Sequence, residues 1–205
     1  MCPGGEVVAA ASQSLGVVVN GMSRHSRNGK NSNSAVVASV FKEDYGSTPE
    51  LAIAFQEKIE RAAFSAGGGN YSAPICTVGD YIDGTLKNEP KRVKPTYMNG
   101  DNVRLARPEE YLPSFVTDEI KKALSSFDRK NSGFAAPDAV LTGAETRTSS
   151  PVRITRDQHT RLAIGYSNLY PAGEGAGYAG GITSAAIDGI KSALSLMAEY
   201  KPIRG

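Results

Sequence analysis

Residues 168–199 read NLYPAGEGAGYAGGITSAAIDGIKSALSLMAE, and the order of their parts decides how the rest of the chain is understood. Asn168 to Tyr170 is a short strand candidate. Five glycines follow between Gly173 and Gly181, and from Ile182 the spacing predicts a helix. Along that helix Ser184, Asp188, Lys191, Ser192, Ser195 and Glu199 share one face, while Ile182, Ala186, Gly189, Ile190, Ala193, Leu194 and Met197 share the other. The apolar face is expected to be buried, and its small residues would let it lie close against a sheet. A helix start leaves backbone N–H groups unpaired and carries a partial positive charge, and glycines before it let an anion approach the main chain. The segment is therefore a candidate anion cradle. Glu174, between Gly173 and Gly175, would repel a phosphate but accept hydrogen bonds from sugar or polyol hydroxyls, so the pattern suits a ligand carrying both parts. A tight turn before a closely packed helix explains the same glycines, and the pattern alone leaves both readings open.

Upstream lies a second dense polar stretch, Glu145 to Arg153 (ETRTSSPVR), with two arginines and four hydroxyl residues in nine positions. Arg147 offers a fork for a carboxylate or a ring carbonyl, and Ser149 or Ser150 a donor to a ring nitrogen. On composition alone the plainer reading is favoured, a turn that satisfies its own backbone with Arg147 paired to Glu145. Ala139 to Leu141, Val152 to Thr155 and Leu162 to Ile164 read as strands, and the change of character near Ala139 marks a domain boundary at residues 137/138.

In the first part, Glu6 to Ser12 and Gly16 to Asn20 read as a hairpin and Ala35 to Phe41 as a third strand. Between them Ser23 to Ser34, with Arg24, Arg27, Lys30 and three asparagines, is a polar loop. Thr48, Pro49 and Glu50 form an N-cap, first-turn proline and early acid, opening a helix to about Ala66 that Gly67-Gly68-Gly69 ends. Lys87 to Gly100 has two prolines and four cations and reads as a linker. A second helix runs from Pro113 or Thr117 to Phe127, and Gly133 closes that region. The fold class is therefore α+β.

Composition sets the outer limits. A chain of 205 residues with 40% apolar and 21% charged residues is globular rather than disordered. Its formal charge of +2 is too balanced for a nucleic-acid backbone as main partner. No apolar run of membrane-spanning length and no signal stretch occur, so a cytoplasmic location without membrane contact is expected. Cys2 and Cys76 lie far apart, and His25 and His159 have no neighbour at ligand spacing, so no metal site is expected. Cys76 is given no function.

The strings MCPGGEVVAAAS, VVVNGMS, FQEKIERAAFSAGGGNYSAP, GAETRTSSPVRITRD and LYPAGEGAGYAGGITSAAIDGI resemble signature segments of the uncharacterised bacterial FAD-dependent dehydrogenases, an NAD(P)/FAD-dependent oxidoreductase family. The resemblance runs over essentially the whole chain. It implies a substrate-side domain of strands and helices, residues 1–137, inserted into a flavin domain of the two-dinucleotide-fold type. Residues 138–205 would then be the strand, loop and helix that return to complete the FAD site. It also implies that Glu174 holds a ribityl hydroxyl, that Gly180, Gly181 and Ile182 form the helix start facing flavin and pyrophosphate, and that Gly173, Gly175, Arg147 and Ser149 line the cofactor. The family carries its G-x-G-x-x-G strand, turn and helix upstream of this segment, and no such pattern is found before residue 168. Met1 is accordingly expected to be an interior methionine and the chain a C-terminal fragment, whose partner is the dinucleotide-binding domain before it.

Two functional classes follow. In the first, the chain is part of a FAD-dependent oxidoreductase acting on a small molecule, with no catalytic residue assigned and FAD not retained by this chain alone. In the second it is a non-catalytic ligand- or partner-binding module. Nucleic-acid binding through Arg24, Arg27 and Lys30 is disfavoured because no aromatic is interleaved. Self-association to a homo-oligomer is expected for a chain separated from its sheet. Cys2 is expected to be structural, with a redox role beside a flavin as the alternative.

Overall fold

The computed structural model describes residues 2–200; the side chain of Cys2, and with it the reading of that thiol, lies outside what is described. The chain forms two compact units, residues 1–45 with 54–146, and residues 46–53 with 147–205.

The first unit is α+β. Its β1 (Cys2–Pro3) pairs antiparallel with β4 (Ser32–Asn33), and β2 (Gly5–Ala9) pairs antiparallel with β3 (Val19–Ser23). The expected hairpin is present with its second strand shifted: Val17 and Val18 are fully buried, yet the Val17 N–H donates to the Glu60 carbonyl rather than to a ladder. The polar loop after β3 is held by side chains, Asn33 donating to the carbonyls of Glu6 and Met22 and Arg24 meeting Glu6 at 2.9 Å. The third strand expected over Ala35 to Phe41 does not form. Its side chains alternate between half-buried and exposed as in an extended chain, but no strand lies beside it to complete a ladder. A single helical turn, α1 (Lys42–Tyr45), follows.

The helix α2 (Pro49–Ala66) has the expected bounds. Thr48 Oγ1 accepts from the Leu51 N–H, and the helix ends where any Cβ on Gly67 would stand 1.8 Å from the Ser72 carbonyl oxygen. The chain then enters β5 (Ala73–Thr77), buried throughout, which lies between β6 (Val103–Leu105), parallel to it, and β7 (Val140–Thr142), antiparallel. The strand expected near Ala139 is thus an edge of this sheet. Thr77 caps α3 (Val78–Asp83) by accepting from the Asp80 N–H, and Gly84 ends it in the left-handed region. The helix α4 (Ser114–Lys130) covers the second helix expected from the sequence and ends with Arg129 and Lys130 in its last turn, where the macrodipole favours cations.

Two apolar clusters hold this unit. Val17, Val19, Ile59, Ala63, Ala73, Tyr97, Tyr111 and Ala144 form one, and Cys76, Val78, Tyr81 and Leu124 the other. The Tyr81 hydroxyl, fully enclosed, donates to the Thr117 carbonyl at 2.6 Å and so ties α3 to α4. Truncating Leu124 in such a setting would cost about 2–5 kcal/mol.

The second unit contains no strand among its described residues; its main regular element there is α5 (Ile182–Glu199). The strands expected over Val152 to Thr155, Leu162 to Ile164 and Asn168 to Tyr170 are absent, leaving one isolated bridge between Arg156 and Ala163. The reason lies in what occupies the backbone groups: Tyr178 and Arg156 side chains, and turns such as Ala163 N–H to the Leu169 carbonyl, take the place of ladder partners.

Candidate functional site

The glycine loop and the start of α5 are built from within the second unit. Gly173 (φ +73°) and Gly177 (φ +81°) occupy the left-handed region, and a Cβ on Gly177 would come within 2.7 Å of the Val152 carbonyl oxygen. The loop is stitched internally by Gly177 N–H to the Glu174 carbonyl and Tyr178 N–H to the Gly173 carbonyl. Its outer strand of contacts is cationic: Arg153 Nε donates to the Gly177 carbonyl, and the Arg156 guanidinium carbon lies 3.6 Å from the Tyr178 ring centroid. The Tyr178 hydroxyl in turn donates to the Ile154 carbonyl and accepts from the Arg156 N–H.

Beneath the loop is an ionic cluster that sequence reasoning missed. Asp188 and Ser192, on the face of α5 expected to be solvated, are the buried residues of that helix, 9% and 6% exposed. The apolar face expected inside is outside: Ile182 is 93% exposed, Met197 69%, Ile190 61% and Leu194 58%. This correction has a specific cause. Asp188 meets Arg156 in a bidentate pair at 2.7 and 2.9 Å, Arg161 donates to the same carboxylate and to Ser192, and the polar stripe is therefore turned inward. The arginine hydrogen bonds hold the Asp188 carboxyl well below the usual carboxylate range, against the opposing effect of burial. The signal was the arginine pair Arg156 and Arg161 upstream of an acid in the middle of the helix, which periodicity does not weigh.

At the helix start, Gly181 is the extended N-cap (φ −162°) without a side-chain cap, and the first intrahelical bond is Ala185 N–H to the Gly181 carbonyl at 2.9 Å. The N–H groups of Ile182, Thr183 and Ser184 take no partner among the described residues. Open space surrounds a Cβ placed on Gly175, and one on Gly180 would meet only the Ser149 hydroxyl, at 3.9 Å. Gly180, Gly181, Ile182 and Ser149 are thus brought together. The Glu174 carboxylate is half-buried and has no hydrogen bond or ion pair among the described residues. Ser150, by contrast, spends its hydroxyl on the Val152 carbonyl at 2.7 Å and the Gly175 carbonyl at 3.3 Å, the self-satisfying turn expected of this stretch. Arg147 has partners of its own. In the first unit Glu145 is half-buried, and burial raises its carboxyl above the ordinary value.

A helix start without a side-chain cap, a backbone with two glycines that nothing crowds, and one carboxylate without a partner among the described residues form a chemically consistent set. They fit a ligand with an anionic group for the N–H donors and hydroxyls for the acid. Among the described residues no group of acids, histidines or cysteines is placed to hold a metal ion, and no helix is long and apolar enough to cross a membrane.

Fold and site together describe an α+β chain carrying a glycine loop before a helix start without a side-chain cap. The profile of the family described as FAD-dependent protein, C-terminal domain-like, matches residues 1–148, and the chain belongs to that family. It is also 47% identical over 201 residues to an uncharacterized protein of Clostridium beijerinckii, covering 98% of this chain and 37% of that protein. The chain therefore spans well under half the length of this relative. A flavoprotein-related module is the class these findings define.

Proposed function

We propose that the chain is part of a FAD-dependent oxidoreductase that passes a hydride or electron pair between flavin and a small molecule. In this reading residues 1–137 form the substrate-side domain, and residues 138–205 complete the flavin site begun by a separate dinucleotide-binding part. Flavin, when bound, would supply the redox chemistry, and the residues of this chain would bind and orient it. The N–H groups of Ile182, Thr183 and Ser184 would face an anionic group, Glu174 would accept from a ribityl hydroxyl, and Ser149 would border the cradle beside Gly180. That dinucleotide-binding part would cover the apolar face of α5, and the protein would act in the cytoplasm.

The observation that carries this proposal is the Glu174 carboxylate, without a partner among the described residues, between Gly173 and Gly175 in the loop that leads to a helix start without a side-chain cap. Its bond to a hydroxyl would be charge-assisted, and losing one such bond costs about 1.5–3 kcal/mol, or roughly 10 to 150-fold in affinity. In the full-length protein Glu174→Ala should therefore weaken flavin binding by that factor, while Glu145→Ala, which lies outside the loop's own unit, should leave it within about twofold. Flavin dissociation constants measured beside urea midpoints decide the matter. An unchanged affinity, or a loss matched by equal destabilisation of flavin-free protein, would overturn the role of Glu174.

A further inference from the structure

Asp188 engages both its oxygens. Oδ1 accepts from Arg156 Nη2 at 2.7 Å and from Arg161 Nη2; Oδ2 accepts from Arg156 Nη1 at 2.9 Å and from the Gly173 N–H at 2.9 Å. An ion pair serving only to fasten α5 to residues 156–161 would not need the last of these bonds. Arg156 Nη1 also reaches the Pro171 carbonyl, so the peptides on both sides of Ala172 are tied to one carboxylate–guanidinium couple just before Glu174. Four residues beyond Glu174, the Tyr178 ring lies against the same guanidinium. The loop is fixed on either side of its only acid, and the reference point for both attachments is the helix whose first N–H groups take no partner among the described residues. Buried charge-assisted networks of this kind tolerate little displacement, because each unmade bond leaves a desolvated charge.

We infer that Asp188 and Arg156 are positioning residues that hold Glu174 at a set distance from the start of α5, so that a ligand's hydroxyl and anionic groups are met together. The inference rests on the reading of Glu174 as a flavin-binding residue. It assigns the helix acid a task distinct from stability, since the couple acts on affinity only through where Glu174 stands.

A double-mutant cycle in the full-length protein tests it, with FAD as the probe and its dissociation constant, the urea midpoint and amide hydrogen exchange as readouts. Asp188→Asn keeps the size of the side chain and removes its charge; Arg156→Lys keeps the charge and removes the planar fork. Each should weaken FAD binding about fivefold or more when Glu174 is present, and by less than about twofold when Glu174→Ala is already in place, the signature of residues coupled through one site. Exchange of the Gly173 to Tyr178 amides should rise in both variants while amides of β5 stay protected. Equal effects on affinity with and without Glu174 would mean that the couple merely stabilises the unit and would overturn the inference. Unchanged exchange in the loop would overturn it as well. If Glu174→Ala by itself leaves FAD affinity intact, the flavin reading of Glu174 fails on its own, and the exchange result still decides whether the couple fixes the loop. Should Asp188→Asn fail to fold, Arg156→Lys carries the same comparison.

Discussion

Gly175 and Gly177 stand two positions apart in one loop and have opposite requirements. Gly177 sits at φ +81° with a carbonyl oxygen 2.7 Å from where a Cβ would be, so Gly177→Ala combines an unfavourable backbone region, about 1–2 kcal/mol, with a backbone overlap. A clear drop in urea midpoint is expected. Gly175 has a backbone any residue can adopt and open space where the methyl would go. Gly175→Ala should leave the midpoint unchanged or slightly raised through the unfolded chain, while a bound flavin that uses the space would lose affinity. Titrations of both variants with FAD, read beside their urea curves, separate the two kinds of glycine. The sequence makes the loop legible as a loop, and makes Glu174 visible within it. It does not reveal which glycine is sterically required, because the obstructing carbonyl belongs to Val152, twenty-five positions away. Cys76 illustrates a different residue-scale outcome. Burial pushes its thiol up to about 12, so at pH 8 only about one part in ten thousand is thiolate. Peptide mapping after iodoacetamide treatment should find Cys76 unmodified in native protein and labelled in urea; native labelling would contradict its enclosure.

Helix α5 shows where pattern reading at the scale of an element fails. Its bounds follow from periodicity and from the glycines before it, but periodicity ranks faces by apolarity, and the inward face here is chosen by Arg156 and Arg161. That choice has a pH consequence. The Asp188 carboxyl is lowered in the folded protein, so between its folded and unfolded values the unfolded chain binds more protons and stability rises with pH. The contribution is complete above the ordinary carboxylate range and is lost as pH falls through it toward the folded value. Urea unfolding of the second unit, followed at Tyr178 or by exchange at its amides, should show an acid limb that Asp188→Asn flattens. An identical acid limb in that variant would remove Asp188 from the account. Strand β5 is the complementary case, an element not read from the sequence at all. Pro74 argues against an inner strand, because it cannot donate to a ladder. In the structure β7 pairs only from Ile75 onward and β6 runs parallel beside Ala73 to Ile75, so the missing donor falls just past the end of the β7 register. The Pro74 carbonyl still accepts from Gly143 at 3.0 Å.

For the molecule as a whole, the exposed row of Ile182, Ile190, Leu194 and Met197 is the feature that bears on behaviour in solution. A row of large apolar side chains along one helix face is more than scattered surface hydrophobics, and under the proposed function it is where the dinucleotide-binding part would pack. The chain should bind an environment-sensitive dye and self-associate at micromolar concentration in sedimentation experiments, and Ile190→Lys combined with Leu194→Lys should suppress both. A strictly monomeric chain without dye binding would count against the proposed missing neighbour. The same proposal expects this chain to purify colourless, and a stoichiometric flavin absorbance after desalting would contradict it. Family and α+β class were legible from long specific strings such as ETRTSSPVRI, whereas the inward ionic cluster was not, since it depends on contacts across 15 to 32 positions. The central place of β5 carries a further meaning when the chain is considered in time. Its neighbours β6 and β7 end at Leu105 and Thr142, so the strand Ala73 to Thr77 leaves the ribosome with the N–H and C=O groups of both edges open. At about 5–20 residues per second the 65 residues from Thr77 to Thr142 take roughly 3 to 13 s to appear. Until those partners are made the nascent chain exposes unpaired strand edges, the condition under which folding competes with aggregation during synthesis.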